Sequence, residues 1–243
     1  MKKDRLFARL NKKSKAFNFG KDTAEVFDDM LIRSVPFYEE TQRMMVEIAK
    51  SFAQPKSNIY DLGCSTGATL SGLAKSIQDE TVRIVGVDNS QAMLSKARIN
   101  LRKKGYLNRC ALQKGDLNEN IKFNNASVVI MNLTLQFVRP LHRDSLITDI
   151  YRGLRKNGCL ILIEKVLGEN LIFNQAFINL YYDFKRRHGY SELEIAQKRE
   201  ALENVLIPYR IRENLLLLNR NGFKETDIFF KWYNFCGLLA LKI

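Results

Sequence analysis

The chain has 243 residues, of which 46% are apolar and 27% are charged. This length suits one domain with its own hydrophobic core, and the composition is that of a globular protein. No apolar run approaches the roughly 18 residues that cross a bilayer, and no signal peptide is recognisable, so we expect a cytoplasmic protein with no membrane partner. The four cysteines are scattered without a CxxC pair, which favours buried thiols over a metal site or disulfides.

The net charge of +13 is concentrated near the first residue. Residues 1–21 hold eight lysines and arginines against Asp4 alone, and so carry more than half of the net charge. Such an arm can bind nucleic acid by releasing counterions, but a solvated, mobile end is the more ordinary interpretation. We therefore expect residues 1–20 to be a basic arm that is not needed for chemistry.

From residue 57 onward, short apolar runs alternate with helical patterns. The predicted strands lie at 58–62, 82–87, 110–113, 127–132 and 159–164. The predicted helices lie at 68–77, at 91–104 and from Pro140 to a stop at Asn157-Gly158. Strands that are apolar almost throughout and separated by helices indicate a parallel sheet covered on both faces.

The pattern changes after the fifth strand. Residues 165–207 show no convincing strand and are predicted to be a helical insertion, matching a helical segment at 21–55. A helix ending at Asn221-Gly222 is followed by two strands, at about 226–233 and 236–241, whose link is so short that they must pair antiparallel. We predict one α/β domain over residues 1–243: a Rossmann-like, mostly parallel seven-stranded sheet with a C-terminal antiparallel hairpin, which is the plan of the S-adenosylmethionine-dependent methyltransferases.

A glycine-bounded turn between the first strand and the next helix is the strongest candidate site. Gly63 and Gly67 allow a sharp turn and a close approach of the backbone to a ligand. Asp88 ends the second strand, where a carboxylate accepts hydrogen bonds from both ribose hydroxyls. Asp116 ends the third strand at the same sheet edge and suits an adenine amino group. Together these features predict nucleoside binding.

The same turn is also compatible with a purely structural role or with a hydrolase. The glycines could serve a structural turn alone, and the absence of GxGxxG counts against a dinucleotide site. Residues 63–67 also satisfy G-x-S-x-G, the nucleophile elbow of α/β-hydrolases, with His188 as base. That elbow should follow several strands, however, and a hydrolase would leave Asp88 and Asp116 without a role. Cys64 is expected to be a packing residue, since no histidine lies near it in sequence.

Motifs along the chain, several of them outside the glycine turn and the strands, identify a family. They are 27–30 (FDDM), 33–36 (RSVP), 60–65 (YDLGCS), 88–90 (DNS), 132–137 (NLTLQF), 189–194 (GYSELE) and 202–205 (LENV). Through them the chain resembles the carboxy-S-adenosyl-L-methionine synthases from about residue 17 to the end. Ser65 stands where many methyltransferases carry a second glycine, a departure that this family shares.

The resemblance implies an unusual reaction and set of partners. S-adenosyl-L-methionine would be a substrate whose methyl group is carboxylated by prephenate, giving carboxy-S-adenosyl-L-methionine and phenylpyruvate without a metal. Prephenate would lose carbon dioxide and hydroxide, the base would deprotonate the methyl group, and the ylide would capture the carbon dioxide. The family implies a homodimer whose product passes to a downstream enzyme that modifies the tRNA wobble uridine, with no direct tRNA binding expected.

The resemblance also implies the contact residues. They are Tyr38, Gly63, Cys64, Ser65, Asp88, Asn89, Asp116, Leu117, Asn132 and Arg199. Arg199 is expected to grip the added carboxylate, from its own subunit or across a dimer. The sequence places it in a helix that begins with the capping box Ser191–Glu194, on an apolar stripe that runs to Leu206.

Alternatives remain for these residues and for the function. Arg199 could instead form a surface pair with Glu203, and the run 185–187 is expected to be solvated. A methyltransferase acting on RNA or a small molecule, or a nucleoside-binding accessory protein held on tRNA, are the other functions the sequence allows.

Overall fold

The structure is a computed structural model that describes residues 2–9, 16–119 and 121–243. Its helices are α1 Lys21–Ser34, α2 Tyr38–Phe52, α3 Ala68–Ser76, α4 Gln91–Lys103, α5 Pro140–Gly153, α6 Leu171–Arg187, α7 Glu192–Leu202 and α8 Ile211–Arg220. Its strands are β1 Asn58–Leu62, β2 Arg83–Asp88, β3 Cys110–Lys114, β4 Ala126–Asn132, β5 Leu154–Lys165, β6 Glu225–Trp232 and β7 Phe235–Leu241. Within the described ranges, no helix has the length and apolar character that a membrane crossing requires.

The described strands form one seven-stranded sheet in the order β3-β2-β1-β4-β5-β7-β6. Strands β1 to β5 pair in parallel, whereas β7 pairs antiparallel with both β5 and β6. The predicted fold class is therefore confirmed. The strand order reverses between β1 and β4, and ligands of such sheets bind beside that reversal, at the carboxyl ends of the strands.

Apolar residues cover both faces of the parallel strands, because neighbouring side chains point to opposite faces. Ile59 and Ile84 pack with α2, α3 and α4 on one face, whereas Leu62 and Val85 pack with α5 and α8 on the other. This double burial fixes where each strand ends, and so it fixes the positions of the polar residues that follow β1, β2 and β4.

The predicted boundary between α5 and β5 is wrong. The helix ends at Gly153, and β5 begins at Leu154. Asn157 has φ +62°, the left-handed conformation that often ends a helix. Here it lies in an irregularity of the β4–β5 pairing, where Ala126 pairs with Leu154 but Val128 pairs with Cys159. The Asn-Gly pair therefore makes a bulge inside a strand.

The described part of the N-terminal arm is packed through Asp4 and Phe17, which corrects the expectation of a wholly solvated end, although its described basic side chains at 2, 3, 5 and 9 are exposed. Asp4 is 1% exposed and accepts a hydrogen bond from the Tyr190 hydroxyl at 2.7 Å. Arg33 donates to the carbonyl oxygen of Asp4 at 3.1 Å, and the Phe17 N–H donates to Ala201 at 2.7 Å. Residues 10–15, which carry three of the predicted basic side chains, lie outside the described residues.

Candidate functional site

A cavity of about 860 Å³ opens at the carboxyl ends of β1, β2 and β4, with α1, α2, α6 and α7 around it. Its volume is in the range of cofactor and substrate pockets. The ten residues predicted for the site all line it: Tyr38, Gly63, Cys64, Ser65, Asp88, Asn89, Asp116, Leu117, Asn132 and Arg199. What each of them does toward a ligand remains a prediction.

The glycine turn is shaped by its close approach to the loop after β4. Gly63 has φ +73°, and a Cβ there would stand 2.5 Å from Thr134 Oγ1, so a side chain cannot be accommodated. The N–H groups of Gly63 and Cys64 both donate to the Val87 carbonyl oxygen, at 2.8 and 3.0 Å. These bonds tie the turn to the end of β2.

Asp88 fixes the middle of this turn. Its Oδ2 accepts a hydrogen bond from the Ser65 N–H at 2.9 Å, and its Oδ1 accepts one from the Ser90 N–H at 2.8 Å. Burial raises the pKa of Asp88, and the two N–H donors oppose that rise. Ser65 has φ +47°, a conformation that glycine adopts freely, which accounts for the glycine of other methyltransferases at this position.

Asp116 follows β3 at the same edge of the sheet as Asp88. Its Oδ1 accepts hydrogen bonds from the Asn118 N–H and side-chain amide, both at 2.9 Å. The Asn118 backbone and the Asn89 side chain hold the pKa of Asp116 below its ordinary value. Asp116 is therefore an ionised acceptor beside Leu117, which suits the edge of a base.

The end of β4 is held by a carboxylate that sequence reasoning missed. Glu164 is 3% exposed and accepts hydrogen bonds from the backbone N–H groups of residues 134–136, at 2.8 to 3.1 Å. Burial raises the pKa of Glu164 to about 8, while these donors and the nearby Arg143 oppose the rise. This anchor positions the segment after Asn132, whose carbonyl oxygen accepts from Thr134 Oγ1 at 3.1 Å.

Tyr38 begins α2 and faces the turn from the helical side. Burial raises the pKa of its phenol, and the neighbouring carboxylates of Asp28 and Asp61 add to the rise. Asp28 accepts a hydrogen bond from Thr66 Oγ1 at 2.5 Å, which joins α1 to the turn. Asp61 is 1% exposed, and burial together with Asp88 raises its pKa to about 7. Asp88 and Asp116 line this end of the cavity, with Asp28 and Asp61 close to its wall, so this end is acidic.

The opposite end of the cavity is basic, and sequence reasoning missed it. Lys165, Lys185 and Lys198 all line the cavity, beside Tyr181. Lys185 is only 6% exposed, so the expectation that the run 185–187 is solvated is wrong for its first member. Lysines of a helix end are ordinarily exposed, and only the packing of α6 against α1 and α7 buries this one.

Arg199 lies on α7 as predicted, after the capping box that Ser191 and Glu194 form. The helix ends at Leu202, so the predicted stripe does not extend to Leu206. Arg199 is an exposed residue on the cavity wall, and no ion pair joins it to Glu203 in the described chain. The guanidinium is therefore available to a ligand at the entrance of the cavity.

The geometry does not support a hydrolase. The Ser65 hydroxyl donates to the Gly63 carbonyl oxygen at 3.3 Å, while His188 is exposed and its Nδ1 lies 2.8 Å from the Phe184 carbonyl oxygen. Burial raises the pKa of the Cys64 thiol, which disfavours a nucleophilic thiolate. Among residues 2–9, 16–119 and 121–243, no three His, Cys, Asp or Glu side chains are grouped to hold a metal ion.

The sheet order and the site at its carboxyl edge define the class of S-adenosylmethionine-dependent methyltransferase folds. A family model described as a methyltransferase domain matches residues 59–158. The O-methyltransferase family 2 protein from Planctomyces limnophilus superposes with a TM-score of 0.62 at 17% identity, covering 95% of this chain and 64% of that longer chain. Geranyl diphosphate C-methyltransferase from Streptomyces coelicolor superposes with a TM-score of 0.58 at 12% identity, covering 85% and 77%.

Relatives that match over the full length of the chain identify one family within this class. Carboxy-S-adenosyl-L-methionine synthase from Methylococcus capsulatus is 54% identical over 242 residues and covers 100% of both chains. The enzyme of that name from Nautilia profundicola is 44% identical, covering 94% of this chain and 95% of its own. The chain belongs to the carboxy-S-adenosyl-L-methionine synthase family and is a transferase, which confirms the predicted family. The match with the first relative also extends over the N-terminal arm, beyond the predicted start at about residue 17.

Proposed function

We propose that this protein carboxylates the methyl group of S-adenosyl-L-methionine with prephenate as the carboxyl donor, giving carboxy-S-adenosyl-L-methionine and phenylpyruvate. The observation that carries the proposal is one cavity with an acidic end at Asp88 and Asp116 and a basic end at Lys165, Lys185 and Lys198. The first suits a nucleoside that carries a sulfonium, and the second suits a dicarboxylate. Full-length identity to enzymes with this product in their name supports the same choice.

The hydrogen-bond acceptors and donors at the acidic end suggest how each residue there would bind the nucleoside. Asp88 would accept hydrogen bonds from the ribose hydroxyls, with Asn89 beside it. Asp116 would accept from the adenine amino group, and the Leu117 N–H would donate to the ring. Gly63–Ser65 and Asn132 would contact the methionine part, and Tyr38 would close over it. These are the atoms that such a ligand requires.

The reaction places little demand on protein acid–base groups. Prephenate becomes aromatic as it loses carbon dioxide and hydroxide, and that hydroxide takes the proton from the methyl group next to the sulfonium. The carbanion then forms the new carbon–carbon bond with the carbon dioxide. The protein must hold the two substrates in contact, exclude water and neutralise carboxylates. A cavity lined by lysines and Arg199 but by neither histidine is suited to that task.

The test is product analysis with labelled substrate. Purified protein with S-adenosyl-L-methionine and prephenate carrying ¹³C in the carboxyl group on its ring should give a nucleoside heavier by one labelled carboxyl group, with phenylpyruvate in equal amount. Labelled bicarbonate with ordinary prephenate should give no label, because the carbon dioxide does not leave the cavity. Absence of the heavier nucleoside in a folded sample would contradict the proposal.

A methyltransferase is the second candidate, and the fold neighbours favour it, since their names are those of methyltransferases. The same assay separates the two functions. A methyltransferase would release S-adenosylhomocysteine and methylate an added RNA or small molecule. Accumulation of S-adenosylhomocysteine with no carboxylated product would therefore favour that second function.

A homodimer is part of the proposal and is supported by an apolar surface. Leu171, Ile172 and Phe173 in the first turn of α6 are 86, 79 and 54% exposed, and patches of this kind mark interfaces. Light scattering coupled to gel filtration should give twice the 28.2 kDa chain mass. A cytoplasmic location and transfer of the product to a tRNA-modifying enzyme, without direct tRNA binding, are further parts of the proposal.

A further inference from the structure

Three lysines line the basic end of the cavity, and two of them contact the Tyr181 ring. Lys165 Nζ lies 5.0 Å from the ring centroid and Lys185 Nζ lies 4.7 Å from it, so two ammonium groups flank one aromatic ring. Lys198 lines the same wall, and its Nζ lies 5.5 Å from the Tyr190 ring. The Tyr181 hydroxyl donates to the Ser34 carbonyl oxygen at 2.9 Å, which holds the ring in place.

Two of these three cations lack the anions that normally accompany buried lysines. In the described chain the ammonium groups of Lys165 and Lys185 make no ion pair or hydrogen bond, and Lys198 Nζ is a buried atom with no hydrogen-bond partner. Lys198 forms one ion pair, with Asp4, whose Oδ2 lies 4.0 Å from Lys198 Nζ. Burying a charge without a partner is costly, so a fold that keeps two such groups on a cavity wall, beside a third lysine with one carboxylate at 4.0 Å, is prepared for an anion.

The three lysines lie away from the end of the cavity that is predicted to bind the nucleoside. Lys165 ends β5 and Asp88 ends β2, with β1 and β4 between them. Three strand spacings put these ends about 14 Å apart, which leaves room for a nucleoside at one end and a second substrate at the other. Arg199 lies near Lys185 and lines the same cavity.

We propose that Lys165, Lys185 and Lys198 form the binding site for the carboxylates of the dicarboxylate carboxyl donor, and that they determine the specificity for it. The inference rests on the proposed function for the identity of that donor. Aromatic contact with Tyr181 positions the ammonium groups of Lys165 and Lys185, and contact with Tyr190 positions that of Lys198. The two carboxylates of the donor supply negative charge to this wall. Electrostatic recognition of this kind favours a dianion over a monoanion or a neutral acid.

Because these lysines are buried, anion binding at this site should be accompanied by proton uptake. Desolvation lowers the pKa of Lys185 to about 7, and Lys165, Lys198, Arg199 and Arg186 add to that effect. Desolvation lowers the pKa of Lys165 and of Lys198 to about 8, with Asp4 and Glu194 opposing the shift in Lys198 and Arg33 increasing it. Near pH 8 Lys185 is therefore mostly neutral and Lys165 and Lys198 are only partly protonated, and a bound dianion should draw protons onto all three.

The experiment measures prephenate binding to protein saturated with S-adenosylhomocysteine, which has no methyl group to carboxylate. Titration calorimetry at pH 8 in two buffers of different ionisation enthalpy gives the affinity and the protons taken up. Wild type should bind prephenate with proton uptake. Lys165→Met, Lys185→Met and Lys198→Met should each raise the Kd for prephenate at least tenfold while changing the Kd for S-adenosylhomocysteine less than twofold.

Two further variants separate binding from folding. Lys75→Met makes the same change at an exposed lysine of α3 outside the cavity, and should leave both affinities unchanged. Lys185→Arg keeps a cation that does not deprotonate, so it should retain more affinity than Lys185→Met while the proton uptake falls.

The outcomes distinguish the inference from the function on which it rests. If wild type and the three methionine variants bind prephenate with equal affinity, the lysines are not its binding site, and the proposal that prephenate is the carboxyl donor still stands. If wild type does not bind prephenate in the presence of S-adenosylhomocysteine, both the proposal that prephenate is the donor and the lysine site are overturned. Selective loss of prephenate affinity in the methionine variants supports both.

Discussion

Replacing Asp88 is the most direct test of the acidic end. Its two oxygens already accept one backbone N–H each, from Ser65 and Ser90, at 2.9 and 2.8 Å. Each carboxylate oxygen can accept a second bond, so one acceptor position on each oxygen is left for the two ribose hydroxyls. Hydrogen bonds to charged groups contribute about 1.5–3 kcal/mol each. Because water refills the space in Asp88→Ala, we expect a net loss of about 2 kcal/mol, or roughly thirtyfold in Kd.

The assay is calorimetric titration with S-adenosylhomocysteine. Asp88→Asn should bind about as poorly as Asp88→Ala, because its amide NH₂ must face either the Ser65 or the Ser90 N–H donor. Asp227→Ala, an exposed position on β6, controls for the loss of a carboxylate elsewhere. Thermal unfolding checks that each variant is folded. A folded Asp88→Ala protein with wild-type affinity would refute the assignment of Asp88 to the ribose.

Three further changes test other parts of the structure. Desolvation raises the pKa of Asp61 to about 7, so the folded state binds a proton more tightly than the unfolded state. The free energy of unfolding of wild type, measured by urea denaturation, should fall between about pH 4 and 7, and the fall should be smaller in Asp61→Asn, in which Glu164 still contributes to it; an equal fall in both proteins would contradict the raised pKa of Asp61. Asp4→Ala removes the acceptor of the Tyr190 hydroxyl and the ion-pair partner of Lys198, and should lower the stability by about 3 kcal/mol in the same assay; an unchanged midpoint would show that these contacts do not stabilise the fold. Arg199→Ala should keep the Kd for S-adenosylmethionine but raise the Kd for the carboxylated product tenfold or more in calorimetry. Arg199→Lys should give an intermediate Kd for the product. Equal product affinity in wild type and both variants would show that Arg199 does not bind the added carboxylate.

The sequence was sufficient for the order of the elements and for the nucleoside end of the cavity. Apolar runs of strand length predicted β1, β2 and β4 to within one residue, because strands buried on both faces carry little else. In a parallel sheet the residue after each strand must lie at one edge. Gly63, Asp88 and Asp116 could therefore be placed together from the pattern of strands alone.

Features that depend on tertiary packing could not be predicted in this way. Asn157-Gly158 has the signature of a helix end, and only the β4–β5 register shows that it is a bulge in a strand. Lys185 begins a run of three cations that resembles any solvated helix end, and its burial depends on α1 and α7. Asp4 is the single acid in a basic segment, which is the one signal that could have suggested its buried role.

The order of the strands accounts for the suitability of a methyltransferase fold for the proposed reaction. Asp61 lies one residue before the end of β1, Asp88 ends β2 and Asp116 follows β3 on one side of the sheet, whereas β5 ends in Lys165 on the other. A cationic sulfonium and an anionic donor are thereby drawn to opposite ends of one cavity, and the reacting methyl group must lie between them, beside the end of β4. Charge placement alone would then orient the two substrates toward each other.

It follows that loss of Asp88 should weaken nucleoside binding and loss of Lys185 should weaken donor binding, each with little effect on the other ligand. A variant of either residue that weakened both ligands equally would show that the two ends are not independent.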